Sequence, residues 1–517
     1  MKLRFVPRSS SGMGAVLRWV LRVLTLLFLL MTLLCIWGTD AYGNISLEEI
    51  IFYLSMPLRG TSQSFAHSLI LHALLPFALA TVLFLVLTFL MRGRALRLTL
   101  SGGRSLQLLP VPMALLLPCL LVWGFFLYTT GDRLLDISGY IDGHLHQSTL
   151  IEENYADPAT TAITFPEKKR NLITLYIESA ESTNQDIQSG GRMDKNYMPE
   201  LTQLARDNVS FSQNELIAGA AVAPACGWTV AGMVAQTAGL PLKFFTYQNE
   251  TDNMGADLRN FLPGATTLGD ILQGEGYRNV FLCGSDFDFG GRRQLYIQHG
   301  AYEIHDYYTA EHEGLIPEGY YYGWGFEDKR LYEMAENLLT ELAAGDQPFH
   351  LGLLTVDTHD PGYLCDLCPQ TDENIYGRTV QCSSKQAAAF VAWCQAQPWY
   401  ADTVIVITGD HASMTKTFYE DHVADYQKHE GDTNRLVYNV FLGAVAEPVR
   451  MKNRKFTTMD FFPTILGAMG VSIEGERLGL GTNLFSDRQT LSEELGYDVF
   501  FEELNKHSDF YDRKLLR

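Results

Sequence analysis

Three long apolar segments occupy the first 130 residues of this 517-residue chain, and they constrain its fold more than any other feature. They lie at about residues 16–38, 68–91 and 108–129, and each is close to the 20 or so residues that a helix needs to cross a bilayer. Buried core helices are the alternative, but those usually carry a polar face at a period of 3.6 residues. A cleaved signal peptide fits the first segment less well, because no small-residue cleavage site follows it. The sequence therefore predicts a membrane anchor of three transmembrane helices over residues 1–130.

Basic residues indicate how this anchor is oriented. The N-terminus and the loop between the second and third segments are rich in Arg and Lys, whereas the loop at residues 39–66 has acids and only Arg59. Because basic loops stay on the cytoplasmic side, the chain after the third segment is predicted to lie outside the cytoplasm. We therefore expect a multi-pass inner-membrane protein whose large domain faces the periplasm.

The charge distribution bears on partners and domains. The net charge is −20, and the acids concentrate after residue 130. A nucleic-acid partner is not expected, because phosphate binding needs a basic stripe that the sequence lacks. We predict a linker at residues 131–165, a globular domain at 166–485 and a C-terminal tail at 486–517, which is either a docked surface helix or a loose segment.

Three cysteines, Cys365, Cys368 and Cys382, cluster in one polar stretch. Outside the cytoplasm this clustering favours a disulfide from Cys365 or Cys368 to Cys382. A C-x-x-C zinc or redox site is the alternative, but no second ligand pair follows at the usual spacing.

From residue 170 onward, short apolar runs alternate with amphipathic segments. Four runs are typical of buried strands: "NLITLYIES", "RNVFLCGS", "FHLGLLTVDTH" and "TVIVITGDH". Continuous apolar strands that alternate with helices predict an α/β fold with a largely parallel sheet covered on both faces. In such sheets functional groups collect just beyond the carboxyl ends of the strands.

Three of these strands end in polar, metal-competent side chains: Glu178, His359, and the pair Asp410 and His411. A turn that happens to contain Asp or His explains any one of them, but three strand ends together indicate one assembled site. Carboxylate and imidazole ligands suit Zn²⁺ or Mn²⁺, and the carboxylates favour the harder ion. Such an ion neutralises charge on a phosphoryl group and lowers the pKa of a nucleophile.

The candidate nucleophile is Thr229 in "CGWTVAGM", where it opens a helix-like segment of small residues. A hydroxyl at a helix N-terminus lies where free N–H groups bind phosphate oxygens. From this motif alone, a plain helix-capping threonine is the simpler interpretation.

Six stretches occur in an order typical of one protein family: "NLITLYIESAEST", "TVAGMVAQTAGLPL", "GDILQGEGYRNVFLCGSDFDFGGRRQLYIQHG", "YYGWGFEDKRLYE", "LLTVDTHDP" and "PWYADTVIVITGDHASM". Over roughly residues 165–475 the chain resembles the membrane-anchored phosphoglycerol transferases of the alkaline phosphatase/sulfatase superfamily. These include lipoteichoic acid synthases and, more closely, the enzymes that modify osmoregulated periplasmic glucans. The resemblance implies an α/β/α sandwich of the alkaline phosphatase/sulfatase type.

The resemblance also implies roles for particular residues. Glu178, Thr229, Asp410 and His411 would bind one divalent metal ion, Mn²⁺ in preference to Zn²⁺, and Thr229 would also be the nucleophile. His359 would bind substrate or assist the leaving group, with a turn histidine as the alternative.

Further residues would line the substrate pocket under the same resemblance. Arg292 or Arg293 would supply the basic contact to substrate, and the sequence does not separate the two. Surface charge is the alternative for both. Asp286 and Phe289 are weaker candidates for the same pocket.

Two features of superfamily members are missing. Sulfatases need a Cys or Ser that becomes formylglycine, followed closely by Pro and Arg, and Cys226 has neither follower. Sulfate-ester hydrolysis is therefore not expected. A second set of metal ligands is not evident either, so a single metal ion is predicted.

The implied reaction transfers phosphoglycerol from phosphatidylglycerol, a membrane lipid, to a periplasmic glycan or a lipid-linked acceptor through a covalent threonine intermediate. Two alternatives stay open. One is a phosphoethanolamine transferase that acts on lipid A or another glycolipid. The other is a catalytically inactive membrane sensor or scaffold, which the intact set of metal-competent residues disfavours.

Overall fold

The computed structural model describes residues 2–7, 13–42, 47–55, 63–90, 94–99, 105–135, 137–243, 260–371, 374–423, 425–426 and 434–516. The chain forms two compact units. The first comprises Met1–Ser46 and Ser62–Ser138, and the second comprises Leu47–Thr61 and Gly139–Arg517. The second unit is therefore discontinuous in sequence, because it includes a short piece that the sequence analysis assigned to the anchor.

The N-terminal part of the chain is mainly helical. Its helices are α1 (Met13–Tyr42), α2 (Leu47–Ser55), α3 (Gln63–Leu69), α4 (Leu75–Leu90) and α5 (Val111–Leu135), and a π-helical turn, Ile70–Leu74, joins α3 to α4. Its strands are β1 (Lys2–Pro7), β2 (Arg94–Thr99) and β3 (Ser105–Pro110). Helix α2 belongs to the second unit, and the other elements belong to the first.

Two helical stretches of the first unit, Trp19–Gly38 and Ala66–Leu90, are long and apolar enough to cross a bilayer. Their large apolar side chains face outward, as lipid contact requires; Trp19 is 71% exposed and Leu79 is 64% exposed. The third predicted span falls in α5, which is helical but is not one of these two stretches. Two of the three predicted spans are therefore supported by length and composition.

Strand pairing within the first unit brings the N-terminus to the loop between α4 and α5. β1 pairs with β2, and β2 pairs with β3, both antiparallel. This arrangement fits the expectation that the two basic segments lie on the same side of a membrane.

The second unit is an α/β domain. Its strands are β4 (Ile163–Thr164), β5 (Asn171–Ile177), β6 (Arg278–Cys283), β7 (Glu303–His305), β8 (Phe349–Leu354), β9 (Thr403–Gly409), β10 (Asn439–Leu442), β11 (Ser472–Ile473), β12 (Arg477–Leu478) and β13 (Gly481–Thr482). Besides α2, its helices are α6 (Ile137–Leu145, which begins at the boundary of the first unit), α7 (Leu150–Asn154), α8 (Pro199–Asp207), α9 (Thr229–Ala238), α10 (Leu268–Gly274), α11 (Arg292–Gln298), α12 (Tyr307–His312), α13 (Asp328–Ala343), α14 (Ile375–Gln395), α15 (Lys416–His422), α16 (Phe461–Ala468), α17 (Leu491–Leu495) and α18 (Tyr497–Asn505).

The central sheet has six strands in the order β10-β9-β5-β8-β6-β7. β5 pairs in parallel with both β8 and β9, and β6 pairs in parallel with β8 and β7. Only the edge strand β10 runs antiparallel, against β9. The sheet is therefore mixed and largely parallel, and the four strands predicted from apolar runs are its β5, β6, β8 and β9.

Helices cover both faces of this sheet. On β5, Ile173, Leu175 and Ile177 face a core that includes residues of α8, α13 and α14. The alternate side chains Leu172 and Tyr176 face cores built from α9, α10 and α16 on the opposite side. Because successive strand residues point to opposite faces, the continuous apolar strands indicate the three-layer α/β/α arrangement observed.

The predicted linker and tail are both folded. Residues of the predicted linker form α6, α7 and β4, and β4 pairs with β11 of the domain. In the predicted tail, Phe500, Leu504, Tyr511 and Leu515 are buried in the core that also contains α9. The apolar spacing of four residues within each pair gives this segment one buried face, and in the structure it packs against the domain.

Candidate active site

The carboxyl ends of β5, β8 and β9 meet at the middle of one sheet edge, because these strands are adjacent and parallel. Glu178 directly follows β5, and Asp410 and His411 directly follow β9. One ligand atom from each of these three side chains lies within 4.8 Å of the others, and all three residues are buried. The structure thus brings together three of the four predicted metal ligands.

His411 lies at the centre of this group. Its Nε2 is 3.4 Å from Glu178 Oε1 and 3.4 Å from Asp410 Oδ2. Its Nδ1 lies 2.8 Å from the backbone oxygen of Ala412, which accepts a hydrogen bond if that nitrogen is protonated. This contact leaves the Nε2 lone pair directed at the carboxylates, as a metal-binding histidine requires.

Asp410 uses its two carboxylate oxygens differently. Oδ1 accepts hydrogen bonds from the backbone N–H groups of Ser179, at 2.8 Å, and His411, at 2.9 Å. Oδ2 is buried and accepts no hydrogen bond from the described residues. A buried carboxylate oxygen without a donor is costly unless a cation is close by, so this atom fits a metal ligand.

The electrostatics also favour a cation. Burial and the neighbouring Glu178 raise the pKa of Asp410 to about 7. Burial alone would lower the pKa of His411, but Asp410 and Glu178 outweigh it and raise that pKa to about 9. Without a metal ion, a protonated His411 is the positive charge next to these two buried carboxylates; a divalent ion held by Glu178, Asp410 and neutral His411 would take over that role.

Short hydrogen bonds fix the backbone around Glu178. Its N–H donates to Thr355 Oγ1 at 3.0 Å, and its carbonyl oxygen accepts from Thr358 Oγ1 at 2.6 Å. The next residue, Ser179, has a left-handed φ of 56° and donates its hydroxyl to Glu178 Oε1 at 2.7 Å. Left-handed backbone at a non-glycine residue is costly and is concentrated at functional sites.

Thr229, the predicted nucleophile, is the first residue of α9, and its Oγ1 lies 3.3 Å from His411 Nε2. Trp228 occupies the N-cap position in extended conformation, so Thr229 does not cap the helix as the motif first suggested. The half-buried hydroxyl instead faces the metal-competent group. It lies at a helix end where free backbone N–H groups favour an anion.

Small residues allow α9 to approach the loop after β9. A side-chain carbon on Gly232 would lie 2.1 Å from the backbone oxygen of Asp410. Gln236, one turn further along α9, donates from Nε2 to the backbone oxygen of Gly409 at 2.8 Å. The sequence "TVAGMVAQ" therefore positions Thr229 by close backbone contact as well as by its hydroxyl.

His359 lies in the loop that follows β8, and an aromatic wall stands beside it. Its ring centroid is 4.4 Å from that of Trp324, which in turn lies 5.1 Å from Phe289. Desolvation lowers the pKa of His359 to about 4. The Trp324 ring thus lies between His359 and Phe289. The sequence analysis missed Trp324, because a tryptophan is neither a metal ligand nor a nucleophile.

Arg292 is bound to groups of the loop before α11, and Arg293 is bound to carboxylates in that loop and at the start of α12. Buried Arg292 donates to Ser285 Oγ at 3.1 Å and to the backbone oxygens of Asp286, at 2.8 Å, and Phe289, at 3.0 Å. Arg293 forms ion pairs with the carboxylates of Asp288 and Asp306. Arg292 therefore holds the loop that carries Phe289, and direct substrate contact by either arginine or by Asp286 stays a prediction.

Comparison with known proteins places this fold and site in a family. A protein-family model described as Sulfatase matches residues 170–471, which is more than half of the chain. The chain belongs to the sulfatase family. Two similar proteins, both named phosphoglycerol transferase I, come from Escherichia coli (strain 55989 / EAEC) and Shigella boydii serotype 18 (strain CDC 3083-94 / BS512). Each is 32% identical over 348 residues, which cover 66% of this chain and 41% of the relative.

The chain thus matches about two fifths of the length of these relatives. Similar solved structures include an alkaline phosphatase superfamily protein from Vibrio parahaemolyticus, with 19% identity, a TM-score of 0.49, and coverage of 70% of this chain and 82% of that one. The lipoteichoic acid synthase LtaP from Listeria monocytogenes is also similar, with 17% identity, a TM-score of 0.47, and coverage of 66% and 82%.

The hydroxyl next to the metal-competent group belongs to Thr229, whereas the nearest cysteine in sequence lies elsewhere. Cys226, the nearest cysteine, is fully buried in the apolar core, and burial raises the pKa of its thiol. Thr229 is the hydroxyl residue that faces His411. That sulfate-ester hydrolysis is not the reaction stays a prediction.

Helix α2 contributes residues that the sequence analysis did not consider. The fully buried Phe52 lies 5.6 Å from the ring of Trp228, the residue before Thr229. Glu49 is buried too; burial raises its pKa to about 7, although nearby His411 acts to lower it. In the sequence, Phe52 and Glu49 lie in the stretch "LEEIIFYLS" between two apolar segments. This stretch contains no motif that would predict contact with a site far away in sequence.

Two histidines, His422 and His429, are not among the predicted site residues. His422 Nδ1 lies 3.3 Å from the hydroxyl of Tyr197 and 3.7 Å from Asp194, and it is not part of the Glu178 group. His429 lies outside the described residues. Among the described residues, then, His422 provides no second ligand set next to the first.

Proposed function

We propose that this protein transfers a phosphoglycerol group from phosphatidylglycerol to a glycan or lipid-linked acceptor through a covalent intermediate on Thr229. The observation that carries this proposal is the Thr229 hydroxyl, 3.3 Å from His411 Nε2, at the N-terminus of α9. The similar proteins named phosphoglycerol transferase I support the choice of the transferred group. A nucleophile, a metal-competent group and an anion-binding helix end together suit phosphoryl transfer.

A divalent ion, Mn²⁺ in preference to Zn²⁺, held by Glu178, Asp410 and His411 with Thr229, would lower the pKa of the hydroxyl and offset phosphoryl charge. Carboxylate-rich ligand sets favour the harder ion. In the first step the Thr229 hydroxyl gives up its proton to water and its oxygen attacks phosphorus, while the bond from phosphorus to the diacylglycerol oxygen breaks and that oxygen takes a proton from water. The free N–H groups of α9 offer hydrogen bonds to the phosphoryl oxygens. An acceptor hydroxyl then attacks the same phosphorus and restores Thr229.

His359 suits a binding role better than a proton-donating one. With a pKa near 4 it is neutral at pH 7. Its Nδ1 lies 3.2 Å from the backbone oxygen of Asp360, so a proton on Nδ1 leaves Nε2 as an acceptor. We therefore assign His359 to accepting a hydrogen bond from a hydroxyl of the glycerol head group or of the incoming acceptor.

The membrane anchor has a physical purpose under this proposal. A phospholipid donor cannot leave the bilayer, so an enzyme that cleaves its head group gains from being held at the membrane surface. The predicted orientation places the site on the periplasmic side, where a glycan acceptor would be available.

The test uses the full chain purified in detergent with Mn²⁺ and a labelled phosphatidylglycerol analogue. We expect diacylglycerol release and an intact-protein mass increase equal to one phosphoglycerol group. Thr229→Ala should abolish both, with a rate loss on the order of 10³-fold or more, as for other covalent nucleophiles. Thr229→Ser is the matched control, because it keeps a hydroxyl and should keep part of the activity.

Other outcomes would contradict the proposal in distinct ways. A mass increase that corresponds to phosphoethanolamine, from phosphatidylethanolamine, would reassign the donor while keeping the mechanism. Absence of any adduct or lipid cleavage in a folded, metal-loaded protein would favour an inactive sensor or scaffold.

A further inference from the structure

Three sulfur atoms converge outside the active site. Cys365 and Cys368 lie in the segment between β8 and α14, Cys382 lies on α14, and all three are buried. Cys365 Sγ is 3.8 Å from Cys368 Sγ and 3.7 Å from Cys382 Sγ, and all three sulfurs lie within 4.8 Å of one another. The predicted clustering is confirmed, but these separations are far longer than a disulfide bond of about 2.05 Å. None of the three sulfurs is joined in a disulfide in this structure.

Hydrogen-bond donors surround these sulfurs in the manner of a thiolate site. The Cys365 N–H donates to Cys368 Sγ at 3.3 Å, and the backbone N–H groups of Leu367 and Cys368 lie against Cys365. Gln386, one turn after Cys382 on α14, places Nε2 at 3.2 Å from Cys382 Sγ.

We propose that Cys365, Cys368 and Cys382 bind a thiophilic metal ion at a site separate from Glu178, Asp410 and His411. Three convergent thiolates suit Zn²⁺ or Cu⁺, which soft sulfur ligands select. One disulfide would use only two of the sulfurs and leave the third buried beside it. Three sulfurs that converge on one point are instead what a cation needs.

The fourth position and the charge balance favour Zn²⁺ within this class. Gln386 Oε1 is buried and accepts no hydrogen bond from the described residues. A half-turn of this amide exchanges its oxygen and nitrogen; it would give up the contact of Nε2 with Cys382 and bring the oxygen beside the sulfurs as a fourth ligand. Three thiolates leave a net charge of −1 around Zn²⁺ and −2 around Cu⁺, and burial penalises the larger charge.

Such an ion would tie the loop after β8 to α14. Cys365 lies six residues after His359 in this loop. The neighbouring Leu364 accepts a hydrogen bond at its backbone oxygen from the Tyr322 hydroxyl, at 2.8 Å. Joining two distant segments restricts the unfolded chain and stabilises the fold. The site would therefore act as a structural clamp behind the His359 loop.

The experiment compares the metal content of full-length protein, purified in detergent without chelators, with that of Cys382→Ser and Cys394→Ala. Cys394 is the matched control, because it is also buried on α14 but lies outside the cluster. All three chains carry Asp410→Asn, so that the active-site ion contributes little. We expect about one equivalent of zinc or copper per chain in the parent and in Cys394→Ala, and a loss of at least tenfold in Cys382→Ser.

A second measurement covers the case in which Cys382→Ser does not fold. A mercurial reagent, which displaces metal ions from thiolates, should release one equivalent of metal from the parent protein. Cobalt reconstitution should also give the near-ultraviolet absorption of thiolate-to-cobalt charge transfer. Release of either zinc or copper would support the thiolate site, and the result would show which of the two ions the cysteines bind.

Two results would overturn this proposal. Equal metal content in folded Cys382→Ser and in the parent would show that the cysteines bind no ion. Peptide mass mapping that recovers a Cys382 disulfide from non-reduced protein would show that oxidation, not metal binding, uses these sulfurs.

Discussion

Asp410 illustrates how one side chain serves both the fold and the site. Its Oδ1 accepts two backbone hydrogen bonds that join the ends of β5 and β9, and its Oδ2 faces His411. Replacing the carboxylate by an amide keeps the shape and one acceptor oxygen, which can still bond to the backbone. The same replacement removes the negative charge that would attract a bound cation.

We therefore predict that Asp410→Asn lowers the affinity for Mn²⁺ by at least about 100-fold, the upper end of what even an outer-shell substitution costs. Thermal stability in the absence of metal should change little, because the cost of burying the carboxylate charge disappears together with its attraction to His411. Isothermal titration of the full chain measures the affinity. Asp402→Asn is the control, since Asp402 is a surface carboxylate paired with Lys168. An unchanged affinity in Asp410→Asn would remove Asp410 from the ligand set.

At the scale of elements, the position of α9 depends on one glycine. Gly232 is where the helix passes the backbone oxygen of Asp410, and a methyl group there would lie 2.1 Å from that oxygen. Real carbon–oxygen contacts are longer than about 3 Å, so either the helix or the β9 loop has to move. Helix α9 carries Thr229 and the loop after β9 carries His411, so either movement would displace part of the site.

Gly232→Ala should accordingly lower the catalytic rate at least tenfold, because a misplacement of about 1 Å at a reacting group can cost on the order of 10²-fold. Overpacking of this kind also destabilises a fold by about 1–3 kcal/mol. Gly274→Ala is the matched control, because Gly274 lies in α10 with no atom near the added methyl group. Diacylglycerol release and thermal melting, measured on both variants, test the prediction. Equal activity in the two would show that α9 tolerates the shift.

The elements themselves were largely predictable, for local reasons. The four apolar runs became β5, β6, β8 and β9, since continuous Val, Ile and Leu suit strands buried on both faces. Their parallel arrangement then placed Glu178, Asp410 and His411 at one edge. Trp324 and Phe52 were not predictable, because their roles come from contacts with segments far away in sequence.

At the scale of the whole molecule, the second unit depends on a piece of chain that lies between two membrane-type helices in sequence. Helix α2, Leu47–Ser55, packs into the core that contains Cys226, Trp228 and α9. A truncated chain that begins after the anchor would therefore lack part of the core beside the proposed nucleophile. The boundary between anchor and enzyme suggested by composition is not the boundary of the folded unit.

Phe52→Ala in the full chain tests this dependence. Deleting a fully buried phenylalanine costs about 3–5 kcal/mol in a core, enough to release a short helix such as α2 without unfolding the central sheet. Cys226 is in the same core cluster as Phe52 and is fully buried, so its labelling by a maleimide should become at least tenfold faster. Peptide mass mapping of pulse-labelled protein gives the rate for each cysteine separately.

Cys394 and Val499 provide the controls for this experiment. Cys394 is buried in a different core, between the sheet and α14, so its labelling rate should not change in Phe52→Ala. Val499→Ala removes an apolar side chain that is 51% exposed on α18, and it should leave Cys226 protected. If Cys226 stays protected and lipid cleavage continues at the parent rate in Phe52→Ala, then α2 is not needed to complete the domain. Faster labelling of both Cys226 and Cys394 would instead indicate general unfolding, whereas a change at Cys226 alone would mark α2 as an integral part of the enzyme.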